Sequence, residues 1–360
     1  MGSRMADAAA LHRLSRPDLD LGAYLRLALS ELDRLVGYTD ASIMAYDPDV
    51  LLPASALSAS ARDLAYALHA CRNEQLEPDL LKFRELARTP AHVGVLAHRE
   101  GAGDPRRQSP RWRELVMPAG HRHELRAALV DGHGRCWGAL VLLRDRPPFL
   151  LGDARLVSRA GRIVARCIAR ATVLPPTADG PAPASGVLIL DRRGRVLDAT
   201  QSGRAWLDEL DGPGAPEQPV PVAALAMLAG ASRGADAPTL RLRTARGRWA
   251  TLNAETLTDG GSANRIVVVV EPVQAASILP LLCAAYGLTR RESEVVAATL
   301  QGMTGKEAAA RLKVSTNTVQ DHLKSIFEKA GVRSRGELAY RLALQFTGAG
   351  ETAHPPDFWD

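Results

Sequence analysis

The chain has 360 residues, with 45 Lys and Arg against 40 Asp and Glu, a net charge of +5. That length holds two or three domains, and the mild basic excess agrees with a nucleic-acid partner without requiring one. Cys71, Cys136, Cys167 and Cys283 fall at no metal or disulfide spacing and no apolar run exceeds about a dozen residues, which excludes a disulfide framework and a membrane-spanning helix and leaves the cytoplasm as the expected location.

Residues 1–18 carry no secretory pattern and are read as a flexible N-terminus. An amphipathic helix is predicted around Tyr24 to Val36, followed by a strand from Ala41 to Tyr46. The basic run Arg106, Arg107, Arg111 and Arg113 is interrupted by Pro and Ser and reads as a solvated loop in preference to an anion site. His123 to Val130 and Arg135 to Arg144 are two strand runs joined by Asp131, Gly132, His133 and Gly134, a hairpin signal. A long helix from Asp153 to Val173 closes the block. His121, His123, His133 and Cys136 cluster in sequence, but in such a hairpin His123 lies roughly 25 Å from the tip that carries His133, so no metal site is expected. Trp112, Trp137, Trp206 and Trp249 and the four cysteines are expected in cores. A hairpin and closing helix after an α/β start resembles the C-terminal half of a GAF domain, which implies a module over 19–173 that senses a small molecule or a protein partner.

Residues 174–185, LPPTADGPAPAS, are rich in Pro, Ala and small polar residues and read as a linker. Beyond it, GVLILDRRGRVLDAT gives two short strands around the Arg193 and Gly194 turn. Helices near Gln201 to Leu210 and Val220 to Ala231 follow, then strands near Thr239 to Arg246, Arg248 to Leu257 and Arg265 to Glu271. Leu240, Leu242 and Thr244 alternate with Arg241, Arg243 and Ala245, as in a sheet with one wet face. The order ββααβββ resembles a PAS domain, over 186–273, though no sequence repeat of the first block is evident.

Residues 274–287 read as a connecting helix, apolar and beginning at Pro280. From 288 to 346 three helix starts carry the capping-box pairing of a hydroxyl with a carboxylate three residues on: Thr289 with Glu292, Thr304 with Glu307, and Ser334 with Glu337. Apolar stripes at helical spacing define four short helices. The second spans about two turns and ends at Leu312, and after Lys313 and Val314 comes Ser315, which can cap a longer third helix. This is helix-turn-helix spacing. Thr316, Asn317, Gln320, Asp321 and Lys324 form a polar face near the start of the third helix, suited to a major groove and also to plain solvent.

The stretch closely resembles the LuxR-type DNA-binding domain. Leu288, Thr289, Arg291 and Glu292 match that family's first motif, Gly302, Thr304, Lys306, Glu307 and Ala309 its second, and Ser315, Thr318, Val319 and His322 its third, with Gly331, Val332, Ser334 and Arg335 as the usual ending. The resemblance implies that Gln320, Asp321 and Lys324 face base edges, with Thr316, Asn317 and Thr318 beside them. Gln320 departs from the basic residue usual there; it can bond an adenine edge twice while losing a phosphate attraction, and Asp321 can accept from cytosine. His322 fits either a phosphate contact or a residue bonded within its own domain. Lys306 and Arg333 are candidate phosphate contacts, whereas Arg335 reads as structural, pairing with Glu292. The final helix, with Leu338, Leu342 and Phe346, is the dimer face by family analogy. The module carries ten Lys and Arg against six Asp and Glu, a weak charge that points to reliance on dimerisation. Residues 347–360 read as a tail.

No G-x-S-x-G, HExxH or GxxxxGK[ST] motif occurs, and the acidic cluster, Asp and Lys order of a phosphorylated receiver domain is missing. The expected fold is therefore multidomain α+β, with GAF-like and PAS-like α/β domains before an all-α four-helix LuxR-type module. The expected function is that of a non-enzymatic, sequence-specific transcriptional regulator, a homodimer on double-stranded DNA, controlled by an unknown small molecule or a partner and needing no cofactor, metal or membrane. RNA polymerase is a candidate further partner. The alternative is a constitutive DNA-binding scaffold whose GAF-like and PAS-like domains bind other proteins.

Overall fold

The computed structural model describes residues 9–16, 19–60, 64–96, 104–174, 181–211, 220–231, 239–259 and 262–345. Half of the expected linker (175–180), all of the expected tail and Phe346 lie outside them. A short helix spans 9–13, within the stretch expected to be flexible, with Leu14 fully buried behind it.

The first block contains α1 (Leu21–Val36), β1 (Asp40–Asp47), β2 (Leu52–Ser58), α2 (Leu64–Leu76), β3 (Val93–Leu96), β4 (His123–Val130), β5 (Cys136–Arg144) and α3 (Leu151–Ala171). Its strands form one antiparallel sheet in the order β2-β1-β5-β4-β3. Helix α1 starts three residues before the sequence suggests, because the Asp20 carboxylate accepts from the Ala23 amide at 2.8 Å and caps it. At the β4–β5 turn the Asp131 carboxylate accepts from the amides of His133 (2.8 Å) and Arg135 (3.0 Å), while Gly134 takes φ +81°. Strand alternation divides the sheet into two faces. Ala41, Ile43, Leu125, Leu129, Leu140 and Leu142 pack with α1 and α3. Met44, Tyr46, Glu124, Arg126 and Val141 point the other way, toward α2.

The second block contains β6 (Gly186–Asp191), β7 (Val196–Ala199), α4 (Gln201–Asp211), α5 (Val220–Ala231), β8 (Leu240–Arg243), β9 (Trp249–Asp259) and β10 (Ser262–Pro272). Its sheet runs β7-β6-β10-β9-β8, which is the strand order of the first sheet repeated. The turn chemistry recurs too: Asp191 accepts from the amides of Arg193 and Arg195, both at 2.9 Å, ahead of Gly194 at φ +80°.

The face of β8 expected to be wet is not. Leu240, Leu242 and Thr244 are buried as predicted, but Arg241 and Arg243 on the opposite face are held between the blocks. Arg241 donates to Asp47 from Nε (3.0 Å) and Nη2 (2.8 Å), to Asp49 at 2.6 Å, and to the Ser277 carbonyl at 3.2 Å. Arg243 donates to the carbonyls of Ala171 (2.8 Å) and Leu174. The basic residues read as solvent-facing are therefore the joint between the two sheets.

Helix α6 (Ala275–Ala285) starts five residues before the predicted Pro280, which sits inside it. The lost amide donor is outweighed by burial of Ile278, Leu281 and Leu282. Four helices follow to the end of the described residues: α7 (Arg290–Leu300), α8 (Gly305–Leu312), α9 (Thr316–Ala330) and α10 (Arg335–Ala343). Of the four tryptophans expected in cores, Trp137, Trp206 and Trp249 are buried, while Trp112 is half-buried beneath Arg106.

The Arg241 joint gives a direct prediction. Asp47 is fully buried, so Asp47→Ala leaves the Arg241 guanidinium with only the half-exposed Asp49 as counter-ion and is expected to destabilise the chain by about 3 kcal/mol. Urea unfolding of wild type, Asp47→Ala, Arg241→Met and the double variant checks it, with a double variant that recovers part of the loss.

Candidate nucleic-acid interface and an interior cavity

The helix-turn-helix is built by its caps. Thr289 and Thr304 each close a full capping box: their hydroxyls accept from the amides of Glu292 and Glu307 (both 3.3 Å), and those carboxylates accept in return at 2.6 and 2.7 Å. Lys313 ends α8 in the left-handed region at φ +56°, the sharp turn that lets Ser315 cap α9. The third expected box is only half formed. Ser334 Oγ accepts from Glu337 N at 3.1 Å, but the Glu337 carboxylate accepts from the Arg333 amide, one residue upstream of the cap.

Glu292 is the hub of this module, with a different partner from the one expected. Its carboxylate receives Lys329 Nζ at 2.7 and 2.8 Å and the Ser325 hydroxyl at 2.6 Å, which ties α7 to α9. Arg335 instead donates to the Met303 carbonyl at 3.2 Å. Burial alone would raise the pKa of Glu292, but the bonds from Lys329, Ser325 and Thr289 outweigh it and hold it at about 2.

On α9, Thr316, Asn317, Gln320, Asp321 and Lys324 are exposed, and Val319, Leu323 and Ile326 are buried behind them. Among the described residues no hydrogen bond or ion pair engages the side chains of Asn317, Gln320, Asp321 or Lys324. Lys306 and Arg333 are likewise exposed, and Lys324, Gln320 and Arg333 line one shallow groove. Thr318 is different: its hydroxyl lies 2.9 Å from Ser315 Oγ and its amide donates there at 3.1 Å, so it serves the cap. His322 is half-buried, with no hydrogen bond to its ring among the described residues.

The final helix does not present the expected dimer face. Leu338 and Leu342 are 1% and 2% exposed, inside the hydrophobic core that the module shares with α3 and α6. The helix period identifies a buried stripe, and here this chain's own core buries it. The module also docks on the first block: Arg170 donates to the Lys329 carbonyl at 3.2 Å and covers the Tyr286 ring, and Gln345 donates to the Val173 carbonyl at 3.1 Å.

The basic run of the first block is corrected as well. Arg107 and Arg113 are exposed, but Arg106 and Arg111 are buried. Arg106 pairs with Asp104 at 2.6 Å, and Arg111 makes a two-pronged pair with Glu124, both bonds 3.0 Å. Arg111 belongs to the wall of a cavity of about 350 Å³ between the sheet and α2. Arg126 on that wall pairs with Glu74 at 2.5 Å and stacks on Phe83 with its guanidinium 3.9 Å from the ring centre. Cys71, expected in a core, also lines it. The sequence held a signal: Glu124 and Arg126 stand two apart in the apolar strand HELRAALV, which puts opposite charges on one face of a central strand. His121 meets Asp145 at 3.1 Å, His123 begins β4 and His133 lies in the β4–β5 turn. Among the described residues, no group of three or more His, Cys, Asp or Glu is placed to hold a metal ion, and no helix is long and apolar enough to cross a membrane.

Two family profiles match the chain: "Bacterial regulatory proteins, luxR family" over residues 287–342 and "GAF domain" over residues 20–168. The spore germination protein GerE of Bacillus subtilis is 38% identical over 55 residues, 15% of this chain and 74% of that protein. The probable transcriptional regulatory protein SgaR of Hyphomicrobium methylovorum is 48% identical over 48 residues, 13% of this chain and 23% of SgaR. The chain thus spans only about a quarter of SgaR. A solved structure of VqmA from Vibrio cholerae is similar at 19% identity over 44% of this chain and 81% of that one, with a TM-score of 0.21.

The Glu292 hub sets a pH dependence. Folding lowers its pKa from 4.5 to about 2, so the stabilisation is complete above pH 4.5 and is lost as pH falls toward 2. Glu292→Gln is expected to cost on the order of 2 kcal/mol at pH 7 and to flatten this acid limb. Thermal melts between pH 2 and pH 7 check both.

Proposed function

The chain belongs to the LuxR family of bacterial regulatory proteins, and from that premise we propose that it regulates transcription by binding operator DNA through α9 under the control of a signal received by its first block. The observation that carries the DNA part is the face of Asn317, Gln320, Asp321 and Lys324: polar, exposed and without partners among the described residues, on a helix fixed from behind by Glu292. Gln320 and Asp321 read base edges, Lys324 reads a base or a phosphate, and Thr316 and Asn317 flank them at the helix start. Lys306, Arg333 and His322 position the module on the backbone. Thr318 acts by capping the helix that presents this face.

The control part is supported by continuity of packing. The first block and the helix-turn-helix share one hydrophobic core through α3 and α6, and the interior cavity lies on the opposite face of the same sheet. A small molecule bound there is the signal in this reading. Two copies of the chain on an inverted repeat supply the affinity that one weakly charged module lacks.

Gel-shift titration on fragments of the source genome tests the interface. Gln320→Ala/Lys324→Ala should weaken specific binding at least tenfold, since each good base contact is worth about 1–3 kcal/mol. Equal binding by wild type and variant would sink the assignment. Lys306→Ala and Arg333→Ala should instead weaken binding to all sequences alike, each lowering the salt slope by about one.

A further inference from the structure

The interior cavity carries chemistry that narrows what it can hold. Its wall includes two carboxylates, Glu74 and Glu124, and two guanidiniums, Arg111 and Arg126. These are paired with one another: Arg126 with Glu74 at 2.5 Å, Arg111 with Glu124 at 3.0 Å, and Arg126 with Glu124 at 3.7 Å. Among the described residues a charged ligand would meet no free counter-ion there and would have to break a buried pair to gain one. Two further ionisable groups on the wall, Cys71 and Tyr46, are neutral, because burial pushes Cys71 up to about 12 and holds Tyr46 well above the usual phenol range. Among the described residues, one polar group in this network is unsatisfied: Nε of Arg126, buried and without a hydrogen bond. A guanidinium keeps that N–H as a donor at every accessible pH. Beside it stand apolar surfaces from Phe83, Val141 and Leu143. The volume, about 350 Å³, lies at the small end of ligand pockets.

We propose that this cavity binds a small uncharged molecule that offers a hydrogen-bond acceptor to Nε of Arg126 and an apolar body to Phe83, Val141 and Leu143. The inference rests on the reading of the first block as the receiver of a small-molecule signal, and it assigns the ligand's chemical class. Selection against charge follows from the closed ion network. Selection for an acceptor follows from the buried Arg126 Nε left open in that network.

The full-length chain is titrated with benzamide, benzoate and benzylammonium, one skeleton in three charge states, by ligand-observed NMR and calorimetry at pH 7. Benzamide is expected to bind at least tenfold tighter than either ion. Arg126→Lys keeps the charge, removes the Nε donor, and should lose about tenfold in benzamide affinity. Ala70→Leu fills the cavity from α2 without touching the ion network and should abolish binding, which keeps the test decisive if Arg126→Lys does not fold. Benzoate or benzylammonium binding as tightly as benzamide, undiminished binding to Ala70→Leu, or no benzamide binding would each overturn the proposal. A gel shift with benzamide separates the two readings. Selective benzamide binding that leaves DNA binding unchanged upholds the ligand class and defeats ligand control of the output.

Discussion

The joint made by Arg241 is the constraint on which the arrangement of this molecule depends. A single planar guanidinium meets both oxygens of Asp47, one oxygen of Asp49 and the carbonyl of Ser277. Those acceptors come from β1, the turn between β1 and β2, and the connecting helix α6. Only an arginine can serve them together, because its donors are fixed in a fork, whereas a lysine would offer one compact charge. Asp47 in turn is tolerable as a buried carboxylate only while the fork is there. The pairing also explains why β8 alternates Leu with Arg without having a wet face: the second face of that edge strand is an interface between sheets.

Two sheets with the same strand order stand side by side, yet the sequence shows no repeat. Topology is set by where strands begin, turn and alternate, and many apolar residues serve each inward position equally well. What does recur is local chemistry, in the turns opened by Asp131 and Asp191 and closed by Gly134 and Gly194. Local chemistry is also why the helix-turn-helix was legible: caps and apolar periodicity act within four residues, and α8 and α9 fall where Thr304, Leu312 and Ser315 put them.

The failures are long-range. Arg111 reads as a solvated residue until β4 brings Glu124 against it, and Arg126 finds Glu74 from 52 positions away. Sequence spacing displays the charges but not their partners. Leu338 and Leu342 fail for a related reason, since a helical stripe says that one face is covered and leaves open what covers it. The same holds for Pro280, whose helix is extended upstream by packing against other elements. In α9 the residue types and their exposure were readable, whereas the separation of Thr318 from the free face needed its bond to Ser315.

On the proposed function, the placement of Tyr46 and Asp47 gives the signal a short path. Neighbours on one strand face opposite sides, so Tyr46 lines the cavity while Asp47 grips Arg241. A ligand that displaces β1 therefore acts on the joint through one peptide unit, and Arg241 carries the displacement to α6 at Ser277. The output module is held differently. Its polar contacts with the first block, from Arg170 to the Lys329 carbonyl and from Gln345 to the Val173 carbonyl, are bonds to neutral acceptors, each weaker than a buried ion pair. In this reading the polar part of the downstream seam, which sits beside the apolar core shared with α3 and α6, is the part a signal can exchange. The place where α9 can change its position relative to the sensor is thus the seam between α3 and the helix-turn-helix, and an allosteric coupling of about 1–3 kcal/mol is of the size that exchanging those few bonds can supply.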